Sequence, residues 1–124
     1  MIFGIGTDLV ELSRIQATYE RFGEHFVRRI LMDRELELFR RSKQPVRFLA
    51  MRFAGKEAIS KALGTGIAQG IGFQQMNIYS DALGKPVVEL SGAALERIKA
   101  LGGEKVLLSL SDEGEMVLAF AVLA

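Results

Sequence analysis

A change of hydrophobic period at the glycine-rich stretch 64–72 limits this chain more than any other feature. Before it, apolar residues recur at helical spacing; after it, short apolar runs alternate with turn residues. Residues 46–63 predict the longest helix: Phe48, Met51, Gly55, Ala58, Ile59 and Ala62 form one apolar and small face. Arg52, Lys56, Glu57, Ser60 and Lys61 are left on the polar side, and Gly64 is placed as a stop. Upstream, Leu12, Ile15, Tyr19 and Phe22 mark a helix that Gly23 interrupts, and residues 25–31 and 33–41 form a second helical region broken near Met32-Asp33. Residues 1–6, short and apolar, predict a buried strand ending at Thr7-Asp8, with Asp8 and Glu11 as an N-capping pair for the next helix. Downstream, strands at 76–80 and 86–90 predict one hairpin, and 91–101 a short helix closed by Gly102-Gly103. Strands at 105–110 and 115–123 predict a second hairpin around Ser111-Asp112-Glu113-Gly114. The order β-α-α-α-β-β-α-β-β is α+β, with antiparallel strands packed on one long and several short helices rather than a wound parallel sheet.

With 124 residues and no linker, repeat or low-complexity tract, the chain fits one domain spanning 1–124. A composition of 49% hydrophobic and 25% charged residues excludes intrinsic disorder. No apolar run approaches the roughly 20 residues that span a bilayer, and the opening MIFGIGTDLVE lacks the features of a leader peptide. The expectation is a cytoplasmic protein with no membrane partner. Zero cysteines exclude disulfides, thiolate zinc sites and cysteine nucleophiles, and the single His25 argues against a Ser-His-Asp triad. Any metal then rests on carboxylates and water, which favours a hard cation such as Mg2+. The net charge of +1 is uneven: residues 1–61 carry 12 Lys+Arg against 8 Asp+Glu, or +4, and residues 62–124 carry 4 against 7, or −3. A basic first half suits an anionic ligand or acidic partner, while no Trp and two Tyr argue against nucleic acid.

Three stretches carry the polar chemistry: Gly4-Ile5-Gly6-Thr7-Asp8, the helical run Arg52-Phe53-Ala54-Gly55-Lys56-Glu57-Ala58-Ile59-Ser60-Lys61-Ala62, and Gly64-Thr65-Gly66 beyond it. Each has a plain structural reading. Asp8 serves as a helix cap, Glu57 and Lys61 as an exposed i,i+4 ion pair worth roughly 0.2–0.5 kcal/mol, and the glycines as a C-cap. Neither a P-loop nor a G-x-G-x-x-G spacing is present. In combination the stretches say more. Two carboxylates on separate elements match magnesium's preference for few protein ligands, and Arg52, Lys56, Lys61 and glycine-rich amides can hold phosphate oxygens. From these residues a magnesium-dependent phosphoryl or nucleotidyl enzyme ranks first. A non-catalytic α+β module binding an acidic protein or nucleotide ranks second. Asp8→Ala or Glu57→Ala separates them: the enzyme loses turnover while folded, whereas the module loses little beyond a cap worth about 1 kcal/mol.

The same stretches resemble the holo-acyl-carrier-protein synthases, the small trimeric bacterial 4′-phosphopantetheinyl transferases of fatty acid synthesis. The resemblance continues through Asn77-Ile78-Tyr79, Gly84-Lys85-Pro86 and Ser109-Leu110-Ser111-Asp112, nearly the whole chain. It implies transfer of the 4′-phosphopantetheine arm of coenzyme A to a serine of apo acyl carrier protein, with release of adenosine 3′,5′-bisphosphate. Asp8 and Glu57 correspond to the ligands of Mg2+, for which Mn2+ is an alternative, and Lys61 to a lysine near the pyrophosphate. Arg52 and Lys43 fall where basic groups meet the coenzyme A phosphates. Glu57, acting through a metal-bound water, is the first choice of general base; Glu35 is the second, with surface charge as its plain reading. Arg14 corresponds to a carrier-protein contact, and Arg21 and Arg28 extend a basic strip at sevenfold spacing. Many relatives carry histidine where this chain has Asp112, and a bare carboxylate there would repel a phosphate. A homotrimer with sites at subunit junctions is also implied, and it would cover the apolar segment 117–123.

Overall fold

A computed structural model describes residues 1–124. Strand β1 (Gly4–Glu11) leads into helices α1 (Leu12–Phe22), α2 (Glu24–Ile30), α3 (Asp33–Arg41) and α4 (Pro45–Ala62). A 3-10 turn at Phe73–Gln75 precedes β2 (Met76–Ser80) and β3 (Pro86–Leu90), followed by α5 (Gly92–Ala100), β4 (Val106–Glu113) and β5 (Met116–Leu123). The strands form an antiparallel sheet in the order β1-β5-β4 and a separate antiparallel ribbon β2-β3. The α+β expectation holds. No helix is long and apolar enough to cross a membrane.

Helix α4 lies on one face of the three-stranded sheet because both surfaces are made of small residues. Ala54, Ala58 and Ala62 meet the inward alternation Val117, Ala119, Ala121 and Leu123 of β5, and all seven are buried. Close approach to β1 depends on glycine: a Cβ on Gly6 would stand 2.1 Å from the Ala58 carbonyl oxygen, and one on Gly4 2.1 Å from that of Ala62. Gly4-x-Gly6 is therefore a packing motif.

The structure corrects four details. Strand β1 does not stop at Asp8, because β5 offers ladder partners out to the pair Glu11–Met116. Asp8 thus pairs with Ala119 inside the sheet, and α1 is entered through Glu11 with no side-chain cap. The polar side of α4 is not a solvent face: Arg52, Lys56 and Ser60 are buried, since α1, α2, α3 and β2 pack around the helix opposite the sheet. Phe22, assigned to the α1 stripe, is 51% exposed at the end of that helix. The last hairpin turns on Gly114-Glu115 alone, with φ +58° at Gly114, so β4 keeps Asp112 and Glu113 in the ladder.

Candidate active site

The close packing of β1 on α4 brings Asp8, Glu57 and Lys61 together. Lys61 Nζ donates to the Thr7 carbonyl at 2.9 Å and to Asp8 Oδ1 at 3.1 Å. The lysine therefore crosses to the strand and makes no ion pair with Glu57 four residues before it. Burial pushes the Glu57 carboxyl above its usual range, and the nearby Asp8 charge pushes the same way; Lys61 and Arg14 oppose both. Two carboxylates that repel each other across a strand–helix junction, one of them 15% exposed and ion-paired, are a donor set for a hard cation. No third metal-ligating side chain joins them, which suits Mg2+ because it keeps most of its shell for water and phosphate.

Glu35 and Lys56 form a different structure. Both are fully buried, and Lys56 Nζ spends its three donors on the Ile30 carbonyl (2.6 Å), Glu35 Oε1 (2.6 Å) and the Phe73 carbonyl (3.1 Å). Glu35 also accepts from the amides of Met32 (2.9 Å) and Ile78 (3.1 Å), and it faces Arg52 Nε at 3.6 Å. Burial holds the Lys56 ammonium below its usual range against the opposing pull of Glu35. The expectations of Lys56 as a phosphate ligand and Glu35 as a general base are thus corrected: neither side chain is exposed, and the lysine has no donor to spare. The pair ties α2, α3, α4 and β2 together.

Arg52 is poised differently. Its side chain is 9% exposed, its Nε has no hydrogen-bond partner, and its guanidinium lies 4.5 Å from the centre of the Phe48 ring. Burial lowers its proton affinity, partly offset by Glu35. It lines a cleft of about 670 Å³ between α3 and α4 at the end of β2, together with Arg34, Arg41, Arg47, Phe48 and Tyr79. Glu37 is the one carboxylate of that lining. Lys43 is exposed on the connection before α4 and stands outside the lining. Arg34, Arg41 and Arg47 were missed from the sequence; Arg34 and Arg41, seven apart, share a face of α3, and that spacing was the available signal.

The glycine loop closes α4. The Gly64 amide donates to the Lys61 carbonyl and the Gly66 amide to that of Ser60, each at 3.0 Å, and both glycines adopt positive φ. Those amides are committed to the cap, as the plain reading had it, and Thr65 Oγ1 bonds the Gly66 carbonyl at 2.8 Å. On the basic strip, Arg14 and Arg21 are exposed on α1, while Arg28 lies on α2 in an ion pair with Glu24 at 3.2 Å. Arg52 and Glu57, five residues apart, project about 140° from each other around α4. The cleft and the carboxylate pair therefore open on different sides of the helix.

Residues 4–121 match the family model described as the 4′-phosphopantetheinyl transferase superfamily, and the chain belongs to that family. Among its relatives are holo-[acyl-carrier-protein] synthases. The Vibrio cholerae protein of that name is 54% identical over 123 residues, covering 99% of this chain and 98% of the relative. The Shewanella amazonensis protein is 48% identical over 122 residues, covering 98% of each. Among solved structures, the Neisseria meningitidis synthase superposes with a TM-score of 0.92 at 47% identity, covering 100% of this chain and 99% of that one. The Helicobacter pylori synthase in complex with coenzyme A gives 0.84 at 29% identity, covering 97% and 99%.

Proposed function

We propose that this protein transfers the 4′-phosphopantetheine moiety of coenzyme A to a serine of apo acyl carrier protein, releasing adenosine 3′,5′-bisphosphate, as a step of fatty acid biosynthesis. The observation that carries the reading is the meeting of Asp8, Glu57 and Lys61 across β1 and α4 in a chain 54% identical to a holo-[acyl-carrier-protein] synthase. In the reaction the serine Oγ forms a bond to the phosphorus that bears pantetheine. The bond from that phosphorus to the bridging oxygen breaks, and the electron pair leaves on the nucleotide's 5′-phosphate.

Asp8 and Glu57 would hold Mg2+, or Mn2+ on the same ligands, which supplies charge neutralisation at the pyrophosphate when bound. Lys61, fixed by Asp8 and the Thr7 carbonyl, places a positive charge beside the departing oxygens. Glu57 is the first choice of proton acceptor for the serine hydroxyl, reached through a bridging water rather than directly. The cleft takes the nucleotide end of coenzyme A, with Arg52 on a phosphate and Tyr79 and Phe48 offering aromatic faces, while Lys43 guides the anion from outside. Thr65, on the loop between Gly64 and Gly66, borders the pyrophosphate from the far end of α4. Arg14, whose charge reaches Glu57, docks the acidic carrier protein with Arg21 and Arg28.

The working form is a homotrimer. An exposed apolar band on the outer sheet face supports it: Ile5, Leu9, Leu107, Leu118 and Phe120 are each at least 42% exposed. The different directions of the cleft and the carboxylate pair support sites shared between subunits. No nucleic acid or membrane partner is assigned, and a cytoplasmic location is part of the proposal.

Intact-mass analysis of apo acyl carrier protein incubated with the protein, coenzyme A and Mg2+ tests the reading. A phosphopantetheine increment that EDTA and the Glu57→Ala variant each abolish is the expected result. No increment from folded protein with several carriers would overturn it.

A further inference from the structure

The four arginines of the cleft are not held alike. Arg34 lies over the Tyr79 ring at 4.0 Å and Arg52 over Phe48, and each faces a carboxylate beyond hydrogen-bond distance, Glu89 at 3.8 Å and Glu35 at 3.6 Å. Arg47 is held from outside. Its Nη1 donates to Asp112 Oδ2, and its Nη2 donates to the Gly114 carbonyl at 3.1 Å. Both acceptors belong to the tip of the β4–β5 hairpin, and neither lines the cleft. A guanidinium carries five N–H donors in a rigid fork, so two anchors on the hairpin leave three free. The pair is half-buried, with side chains 30% and 35% exposed. Without it Arg47 would be poorly placed, because it lies in the first turn of α4, where the helix dipole disfavours a cation, and in a lining that holds three more arginines.

We propose that Asp112 is a positioning residue: with the Gly114 carbonyl it clamps Arg47 from behind, so that the free edge of the guanidinium meets a phosphate of the nucleotide bound in the cleft. The inference rests on the cleft taking the nucleotide end of coenzyme A. It also accounts for a carboxylate at position 112 beside an anion site. The Asp112 charge is spent on Arg47, and the pair as a unit presents a fixed cation.

Calorimetric titration with adenosine 3′,5′-bisphosphate and steady-state transfer assays on wild type, Asp112→Ala, Arg47→Ala and the double variant provide the test. Asp112→Ala and Arg47→Ala are each expected to weaken nucleotide binding about three- to tenfold and to raise KM for coenzyme A in parallel. Over the same series kcat should stay within about twofold, and KM for the carrier protein should not move. The double variant is expected to bind no more weakly than Arg47→Ala alone, because the carboxylate acts only through the arginine. Asp112→Asn, which keeps the shape of the side chain, should show a loss in the same direction even if the alanine variant folds poorly. Unchanged or tighter binding by the Asp112 variants, or additive losses in the double variant, would overturn the proposal. Wild type that transfers normally while the variants match it sinks this inference alone. Wild type that fails to bind the nucleotide removes the cleft reading and the inference with it.

Discussion

Glu57 is the residue at which stability and function pull apart. Its carboxyl is pushed up by burial and by Asp8, so the folded chain holds that proton more tightly than the unfolded chain does. The group therefore favours folding at low pH. That contribution is lost as pH rises from the ordinary carboxylate range through the elevated folded value. Glu57→Gln removes the charge and keeps the shape. In metal-free protein the variant should unfold at a higher temperature than wild type at about pH 8, the gap closing toward about pH 4, while transfer activity is abolished. Thermal scans in EDTA at several pH values, beside the mass assay, check both halves. A variant less stable than wild type at the higher pH would show that Glu57 contributes to the fold as a charge.

At the scale of elements, α4 is held by two contacts of opposite chemistry. Toward the sheet it depends on the absence of side chains on β1. Gly6→Ala puts a methyl 2.1 Å from the Ala58 carbonyl oxygen and 2.6 Å from the Ala62 nitrogen, both backbone atoms that cannot rotate away. Strand and helix must separate, at a cost of about 1–3 kcal/mol in denaturant unfolding, and Lys61 should lose its grip on Asp8, so transfer should fall as well. Away from the sheet α4 depends on the Glu35–Lys56 pair. Glu35→Ala leaves a buried ammonium with only carbonyl acceptors and two backbone amides without their acceptor, and it should cost about 3–5 kcal/mol. If that variant unfolds at the wild-type denaturant midpoint, the pair is not the tie described above. The periodicity of residues 46–63 was legible because a helix repeats every 3.6 residues whatever surrounds it. The burial of Arg52, Lys56 and Ser60 was not, because it depends on what α1, α2, α3 and β2 bring to the far side.

For the whole molecule, the outer sheet face decides whether one chain is enough. Strand registry sets Ile5 and Leu107 on either side of Val122, and Leu9 beside Leu118, so the apolar side chains run together across three strands. A glutamate at the centre of a trimer contact leaves three like charges to be buried. Leu9→Glu is therefore expected to run as a folded monomer in light scattering and to lose transfer activity with it. A folded trimer of that variant would place the subunit contact elsewhere. Local rules operating along the chain were enough to determine the α+β class, the hairpins, the break near Met32-Asp33 and the residue types of the site, since period, turn chemistry and donor atoms are properties of neighbouring residues. Tertiary packing decided the rest. It drew Asp8 into a strand when β5 offered a partner, and sent Lys61 to that strand instead of to Glu57. It sealed Lys56 against Glu35 and set two arginines of α3 and two of α4 around one cleft. Each of those outcomes depends on a contact between residues far apart in the chain, whose free energy no local pattern records.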